Sequence, residues 1–426
     1  MTQLKRVAVI GGSRIPFCRS NTAYAELRNL DMLADTLQRL VDRFNLTGRK
    51  IDEVIAGAVT THSRDWNLTR EAVLSTTLSP HTPGTTLQMA CGTSLQAALL
   101  AAGRIASGEI DCAIAAGSDT TSDAPLVLQP RLARRLLQLS QARSLRARIR
   151  SLKGLRPAEL APQAPRNGEP RTGLSMGEHC ELMAQEWGIS REDQDRWALE
   201  SHLKAAAAYE EGFFDPLLNT YHGVARDNNL RPDSSLDKLA TLKTVFERSA
   251  KGTLTAGNST PLTDGAAAVF LCSEAYAQQH GLQVQAWLSR GRTSAVDFVG
   301  GDGLLMAPTL AVSELLTASG LTLQDFDFYE IHEAFAAQVL CTLKAWESTQ
   351  YCQEKLGLES ALGAIERSRI NVKGSSLAIG HPFAATGARI LGTLSQILAA
   401  RPGSRGLISI CTAGGMGAAA ILESAA

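Results

Sequence analysis

Cys91, in the run Gln88-Met89-Ala90-Cys91-Gly92-Thr93-Ser94, stands directly ahead of a stretch of small, helix-favouring residues from Leu95 to Gly103. A thiol at a helix start faces unpaired N–H groups and the positive end of the helix dipole, which favour the thiolate and nucleophilic chemistry. Alone, such a cysteine reads equally as a small buried apolar side chain. Three later stretches change the balance: His332-Glu333-Ala334-Phe335, Gly380-His381-Pro382 and Cys411-Thr412-Ala413-Gly414-Gly415-Met416-Gly417. Each follows a strand-like run or precedes a helix-like one, where open α/β sheets collect functional groups. Thiol-based acyl transfer needs a thiolate to attack a thioester carbonyl and a histidine to take the thiol proton. It also needs N–H groups or a histidine to hold the oxyanion, and a second acid/base for a proton on carbon. Two cysteines and two histidines supply that set. No metal site is expected from them, because they lie far apart in the chain and no pair has short ligand spacing.

The elements that must position these residues repeat. The chain opens with a strand (Arg6 to Ile10), a Gly11-Gly12 turn, a helix (Leu30 to Phe44) and a strand (Val54 to Val59). A helix around Thr69 to Thr77, the Cys91 helix and the strand Cys112 to Gly117 follow. This alternation predicts an α/β layer on a mostly parallel sheet. A second half shows the same grammar. Helix Leu310 to Ala318 leads to strand Phe326 to Ile331, and the apolar helix Phe383 to Ala400 leads to strand Gly406 to Ile410. Two α/β units of similar topology are expected.

Between them the character changes. Residues 126 to 158 hold nine basic and no acidic residues, and Pro162, Pro165 and Pro170 then interrupt regular structure. Leu132, Leu136 and Leu139, then Leu145 and Ile149, recur at helical spacing, so a cationic face flanks an apolar stripe across 131–156. Ser190 caps a further helix to Tyr209. The expected division is 1–125 with 251–285 as the first half, 126–250 as an inserted loop domain, and 286–426 as the second half.

Composition sets the frame. The 426 residues are 44% hydrophobic and 20% charged, ordinary for a globular protein. Lys plus Arg and Asp plus Glu both total 42, so no global field recruits nucleic acid. Eight scattered cysteines without a C-x-x-C pair indicate a reducing compartment, and no apolar run approaches the ~20 residues of a membrane span. A cytoplasmic location is expected.

The four motifs, A-C-G-T-S at Cys91, H-E-A-F at 332 to 335, G-H-P-F-A-A-T-G-A-R at 380 to 389 and C-T-A-G-G-M-G at 411 to 417, resemble those of the thiolases. The resemblance is strongest to 3-ketoacyl-CoA thiolases of the multienzyme fatty-acid-oxidation type, the trifunctional-complex β subunits. Asp227 to Arg231 and Asn258 to Gly265 resemble that subgroup too, as does His332 where other thiolases carry Asn. It implies two βαβαβαββ halves in a five-layered αβαβα arrangement with an inserted loop domain. It also implies CoA-dependent cleavage of a 3-ketoacyl-CoA to acetyl-CoA and a shortened acyl-CoA, reversible as a Claisen condensation. Coenzyme A is then a substrate and no prosthetic cofactor is expected.

By the same resemblance Cys91 accepts the acyl group, His381 is its base, and Cys411 is the acid/base on the α-carbon. His332 serves one oxyanion hole, the backbone N–H groups of Cys91 and Ala413 the second, and Arg231 and Thr260 contact coenzyme A. Implied partners are a second copy of the chain as a homodimer or dimer of dimers, a hydratase/dehydrogenase α subunit, and a membrane surface touched through 131–156.

The chain departs from its relatives at Ser375, usually Gly, at Thr244, usually Pro, and at His179-Cys180, mostly Thr-Ala, the last of which implies a reshaped acyl pocket. The rival readings are a short-chain acetyl-CoA C-acetyltransferase, a decarboxylating condensing enzyme of related fold, and a non-catalytic CoA-binding subunit. Cys411 argues against the decarboxylating enzyme, and the intact cysteine and histidine set against the binding subunit.

Overall fold

The structure is a computed structural model that describes residues 4–163, 165 and 168–425. The chain divides into two compact units, Met1–Ser122 with Gly168–Ala426, and Asp123–Asn167. The division expected from sequence differs: residues 168–250 pack into the same unit as both α/β halves, and only 123–167 stands apart. None of the described helices is long and apolar enough to cross a membrane.

In the larger unit the strands are β1 (Val7–Arg14), β2 (Cys18–Arg19), β3 (Glu53–Ala56), β4 (Gly84–Thr86) and β5 (Cys112–Asp119). They continue as β6 (Thr263–Ser273), β7 (Ala286–Ala295), β8 (Phe328–Ile331), β9 (Arg405–Thr412) and β10 (Met416–Ser424). Their hydrogen-bonded order is β4-β3-β5-β6-β1-β7-β10-β9-β8, with β2 on β6. The order is a repeat about its middle. In the first half β1 is followed outward by β6, β5, β3 and β4, and in the second β7 is followed by β10, β9, β8 and a parallel bridge from Tyr329 to Ile370. The two leading strands meet antiparallel, Ala8 opposite Trp287 and Val9 opposite Ala286.

The expected mostly parallel sheet is not found. Only β3–β4, β3–β5 and β8–β9 are parallel. The last strand of the second half returns through the tight turn Ala413-Gly414-Gly415, whose glycines have φ of 80° and 68°, and so short a connection allows only antiparallel pairing.

Side-chain direction alternates along each strand and sorts residues into layers. Val7 and Val9 of β1, Ala113 and Ala115 of β5, and Val269 and Leu271 of β6 join one core. Ile408 and Ile410 of β9 and Ala418 and Ala420 of β10 join it from the other half. Between these faces lie the helices Thr93–Ser107, through Leu95, Ala98 and Ile105, and Thr386–Ala399, through Leu391, Leu394 and Leu398. The alternate residues Ala8, Ile10, Ile114 and Phe270 pack outward on helices Asn29–Arg43 and Leu68–Leu74. Leu407, Ala419 and Ile421 pack outward on helices Ala307–Ser319 and Ala336–Glu347. The result is five layers, helix, sheet, helix, sheet, helix. With both faces of β1, β5, β6 and β9 covered, these strands read as near-continuous buried runs, whereas β7 is largely exposed beyond Leu288.

The two central helices touch without room for a side chain. A Cβ on Gly387 would lie 2.3 Å from the backbone nitrogen of Leu95. Gly103, on the same helix as Leu95, has open space around its Cβ position.

The smaller unit contains helices Pro130–Gln141 and Leu145–Leu152. Arg131 pairs with Glu159 at 2.7 Å, and Arg135 donates to the carbonyl of Lys153 at 2.6 Å. Of the stripe seen in the sequence, Leu145 and Ile149 are more than 60% exposed and Leu136 is exposed, whereas Leu132 is buried, so the stripe is partly uncovered within this unit.

Gly387→Ala is expected to destabilise the fold by about 1–3 kcal/mol or more, because the added methyl forces the central helices apart. Gly103→Ala, an open helix-interior site, is expected to stabilise it by up to about 1 kcal/mol. Thermal and denaturant unfolding of the two variants checks this, and equal midpoints would contradict the close approach.

Candidate active site

Cys91 does not begin an α-helix directly. It sits in a 3-10 turn, Ala90–Gly92, that feeds the helix Thr93–Ser107. The preceding Ala90 has φ of 44°, a left-handed conformation unfavourable for a residue with a Cβ. Thr93 holds the turn: its hydroxyl donates to the Ala90 carbonyl at 2.7 Å and accepts from the Met89 N–H at 2.9 Å. The cysteine is also less accessible than its sequence context implies, at 7% exposure.

His381 comes from the other half of the chain and meets it. Its Nε2 lies 3.1 Å from Cys91 Sγ and its Nδ1 lies 2.6 Å from the hydroxyl of Thr386, the first residue of the second central helix. The His381 N–H donates to Thr263 Oγ1 at 2.7 Å, tying the Gly380-His381 turn to the start of β6. His332, just past the end of β8, lies against His381 with ring centroids 4.2 Å apart and the ring planes tilted by 50°. A nitrogen of each ring and the Cys91 sulfur lie within 4.8 Å of one another.

Sequence distance thus fails as a reason against a metal, since folding gathers a thiol and two imidazoles of the types that bind zinc. The guanidinium of Arg389 acts against it. It donates to Ser376 Oγ at 2.7 Å, which itself contacts His332 Nδ1 at 2.8 Å, and its positive field opposes another cation at that ring.

Burial sets the protonation states. It pushes the Cys91 thiol up to about 12, against the opposing pull of backbone N–H groups from Ala413 and Cys91 itself. It pushes the His381 imidazole down to about 3, and His332 well below the ordinary imidazole value. The helix-start argument predicts a resting thiolate, but loss of water outweighs the local N–H groups, and the unliganded pair is a neutral thiol beside a neutral imidazole.

Cys411, at 1% exposure near the end of β9, is raised well above the usual thiol value by burial and by its proximity to Cys91. The next residue, Thr412, approaches Gly92 so closely that a Cβ there would lie 2.8 Å from its methyl. Cys180 is fully buried, which raises its thiol well above the usual value with Cys341 and Cys411 adding to the effect, whereas His179 turns to Thr172 Oγ1 at 2.7 Å. Thr260 hydrogen-bonds the Ala334 carbonyl through both its N–H and its hydroxyl, at 3.0 Å each, two residues beyond His332. Arg231 is exposed, its guanidinium on the carbonyls of Asn228 and Leu230 and its N–H on His202 Nδ1, and among the described residues no hydrogen bond joins it to Cys91, His332 or His381.

Buried carboxylates that sequence reasoning passed over hold the site together. Glu333 accepts from Trp197 Nε1, Ser201 Oγ, Asn371 Nδ2 and the Leu377 N–H at 2.7–3.2 Å, fixing the segment before His381. Asp119 at the end of β5 accepts from the N–H groups of Thr60 and Ala384, both at 2.8 Å, and so anchors the turn after His381. Asp227 receives both Arg14 guanidinium nitrogens at 2.7 and 2.8 Å and the Tyr209 hydroxyl at 2.6 Å. Its neighbour Asn229 donates to the Leu377 carbonyl at 2.7 Å. The Asp227 run, singled out beside a coenzyme A contact, therefore braces the His381 turn. The H-E-A-F motif carried a signal for Glu333, whereas Asp119 ends an ordinary apolar strand and had none.

Comparison with known proteins agrees with this geometry. Residues 7–275 match the model of the thiolase N-terminal domain and residues 282–424 that of the thiolase C-terminal domain. A 3-ketoacyl-CoA thiolase of Yersinia pestis (strain Pestoides F) is 41% identical over 424 residues, 98% of this chain and 97% of that protein. Among solved structures, Bacillus anthracis acetyl-CoA acetyltransferase superposes with a TM-score of 0.82 at 28% identity, covering 100% of both chains. Human mitochondrial 3-ketoacyl-CoA thiolase in complex with CoA gives 0.82 at 26% identity, covering 99% of this chain and 98% of that one. With both domain models matched in order across two α/β halves that meet at Cys91 and His381, the chain belongs to the thiolase family.

Proposed function

We propose that the chain is an acetyl-CoA C-acyltransferase that cleaves 3-ketoacyl-CoA with coenzyme A, and that Cys91, His381, Cys411 and His332 carry the reaction. The observation that carries this reading is the 3.1 Å contact between Cys91 Sγ and His381 Nε2, with the His332 ring beside it. Because both partners are neutral at rest, the thiol proton passes to His381 Nε2 as sulfur attacks the 3-keto carbon. The N–H groups of Cys91 and Ala413, which already face the sulfur, take the charge on that oxygen. The bond between the α- and β-carbons breaks, the electron pair leaves as the enolate of acetyl-CoA, and the Cys411 thiol gives its proton to that carbon. Coenzyme A then gives its thiol proton to the Cys411 thiolate and attacks the acyl-Cys91 carbonyl, the Cys91 sulfur leaves and recovers its proton from His381, and the shortened acyl-CoA is released. His332 contributes a donor to the enolate oxygen.

Thr260, anchored beside His332, and the exposed Arg231 are the groups offered to coenzyme A, the hydroxyl to a polar part and the guanidinium to phosphate. The 41% identity to 3-ketoacyl-CoA thiolases favours them over the acetyl-CoA acetyltransferase at 28% as a guide to substrate. Eight free cysteines support a reducing, cytoplasmic setting. The position of β4 at the edge of the sheet and Trp66, 92% exposed, support self-association as a homodimer or dimer of dimers, which the mass in solution checks.

The exposed Leu136, Leu145 and Ile149 among the arginines of 131–156 support docking on an anionic membrane or a hydratase/dehydrogenase subunit. Charge reversal at Arg146, Arg148 and Arg150 is expected to weaken binding to anionic vesicles or to that subunit by several-fold, most at low salt, with thiolysis of free substrate retained. Unchanged binding would count against this surface.

The function is tested by thiolysis of 3-ketoacyl-CoAs of increasing chain length, where ping-pong kinetics are expected. Cys411→Ala is expected to keep acetylation of Cys91 by acetyl-CoA while losing thiolysis by at least ~100-fold. Near-normal thiolysis in that variant would remove Cys411 from the reaction.

The depressed histidines give a pH dependence with a definite sign. Unfolded imidazoles take up protons near 6.5, but folded His381 does so only near 3 and burial holds His332 well below its ordinary value. Their contribution to stability is therefore complete above the unfolded value and is lost as pH falls below it, by up to about 1.4 kcal/mol per pH unit for each. Buried Glu330, pushed up to about 8, contributes with the opposite sign as pH rises above its unfolded value. His332→Asn should thus unfold with a shallower loss of stability between pH 6.5 and 4.5 than the parent. Parallel curves would show that His332 is not held neutral.

A further inference from the structure

His332 and His381 present the same chemistry from the same place, yet the reaction needs one to accept a proton and the other to donate a hydrogen bond. Resting on the thiolase reading, we propose that Ser376 and Arg389 hold His332 as its Nε2–H tautomer and so make it the donor, leaving His381 as the base.

The argument is an accounting of protons at one hydroxyl. Ser376 Oγ has two partners among the described residues: Arg389 Nη2 at 2.7 Å and His332 Nδ1 at 2.8 Å. A guanidinium can only donate, so Arg389 occupies an acceptor position on the oxygen, and the remaining partner for the hydroxyl hydrogen is His332 Nδ1. Nδ1 then carries a lone pair and the ring proton sits on Nε2. That atom is buried and without a protein partner among the described residues, on a ring whose centroid lies 4.2 Å from that of the base. An unpartnered N–H at that position is what a developing oxyanion requires.

His381 has the opposite setting. Its Nε2 faces the Cys91 thiol, which must donate, so Nε2 is the acceptor and the proton sits on Nδ1, directed at Thr386 Oγ1.

Arg389 is placed for this task rather than for solvent. It is 2% exposed, its Nη1 donates to Ser375 Oγ at 3.1 Å, and the carboxyl groups of Glu330 and Glu333 lie within its electrostatic reach. Ser375 thus supplies a second hydroxyl that holds the guanidinium in register. The His332 N–H donates to the Ser409 carbonyl at 2.8 Å, so the backbone is pinned and the ring orientation is left to Ser376. Ser376 and Arg389 are positioning residues, since neither touches the reacting atoms.

The direct test is nitrogen NMR of protein labelled with 15N-histidine, with His332 assigned by loss of its signals in His332→Asn. The proposal expects the His332 proton on Nε2 near neutral pH, and a proton on Nδ1 would overturn it. Kinetics provide the second arm. Ser376→Ala is expected to lower kcat for thiolysis by about 10- to 100-fold with KM for coenzyme A changed less than about 2-fold. Acetylation of Cys91 by acetyl-CoA should be spared, because that half-reaction uses the other oxyanion hole. Ser376→Thr, which keeps the hydroxyl, should recover most of the rate, and in a His332→Asn background Ser376→Ala should add little. Equal loss of acetylation and of full turnover would show a scaffold effect and overturn the assignment. The spectrum is read without turnover, so a parent enzyme lacking thiolysis would sink the preceding function while leaving the tautomer decided by NMR.

Discussion

The contact that the rest of the structure serves is the 3.1 Å approach of Cys91 Sγ to His381 Nε2, between residues 290 positions apart. Each comes from the turn that opens one of the two central helices, so the spacing of those helices sets the spacing of the reacting atoms. The helices approach until only glycine fits at Gly387, which converts close packing into catalytic geometry. Both sheets then press on this pair from outside, and the duplicated topology places one turn from each half on the same side of the core. A layer built once would hold a cysteine or a histidine, but it takes two halves to bring them together.

Burial is the second constraint, and it acts on charge. The thiol and both imidazoles are held neutral because no solvent is available to stabilise their charged forms. The same burial makes most buried polar groups depend on a protein partner. Glu333, Asp119 and Asp227 meet that need by collecting N–H and hydroxyl donors from loops distant in sequence, and in doing so they locate His332 and His381.

Much of the site was legible in the sequence because short motifs carry it. A cysteine before a small-residue helix, two histidines after strand-like runs and a glycine-rich turn after Cys411 all lie where the fold uses them. The helix at Asn29–Arg43 and the paired central helices were legible from periodicity. What was not legible depends on the partners that tertiary structure supplies. Strand direction is one case: β6 returns antiparallel after a long excursion, and nothing in its apolar run Ala266 to Leu271 records direction. The protonation of Cys91 is another, since its helix-start position pointed to a thiolate and burial decided the opposite. The carboxylate network is a third, because an acidic residue on a strand end reads as a solvated charge until the N–H groups around it are known.

The claim that the two halves exist to bring Cys91 to His381 is tested most directly by locating the covalent intermediate. Wild-type protein exposed to acetyl-CoA, quenched in acid and mapped by peptide mass spectrometry should carry one acetyl group on Cys91, and His381→Ala should accumulate it far more slowly. An acetyl group on Cys411 or elsewhere, or unchanged labelling kinetics without His381, would contradict the account.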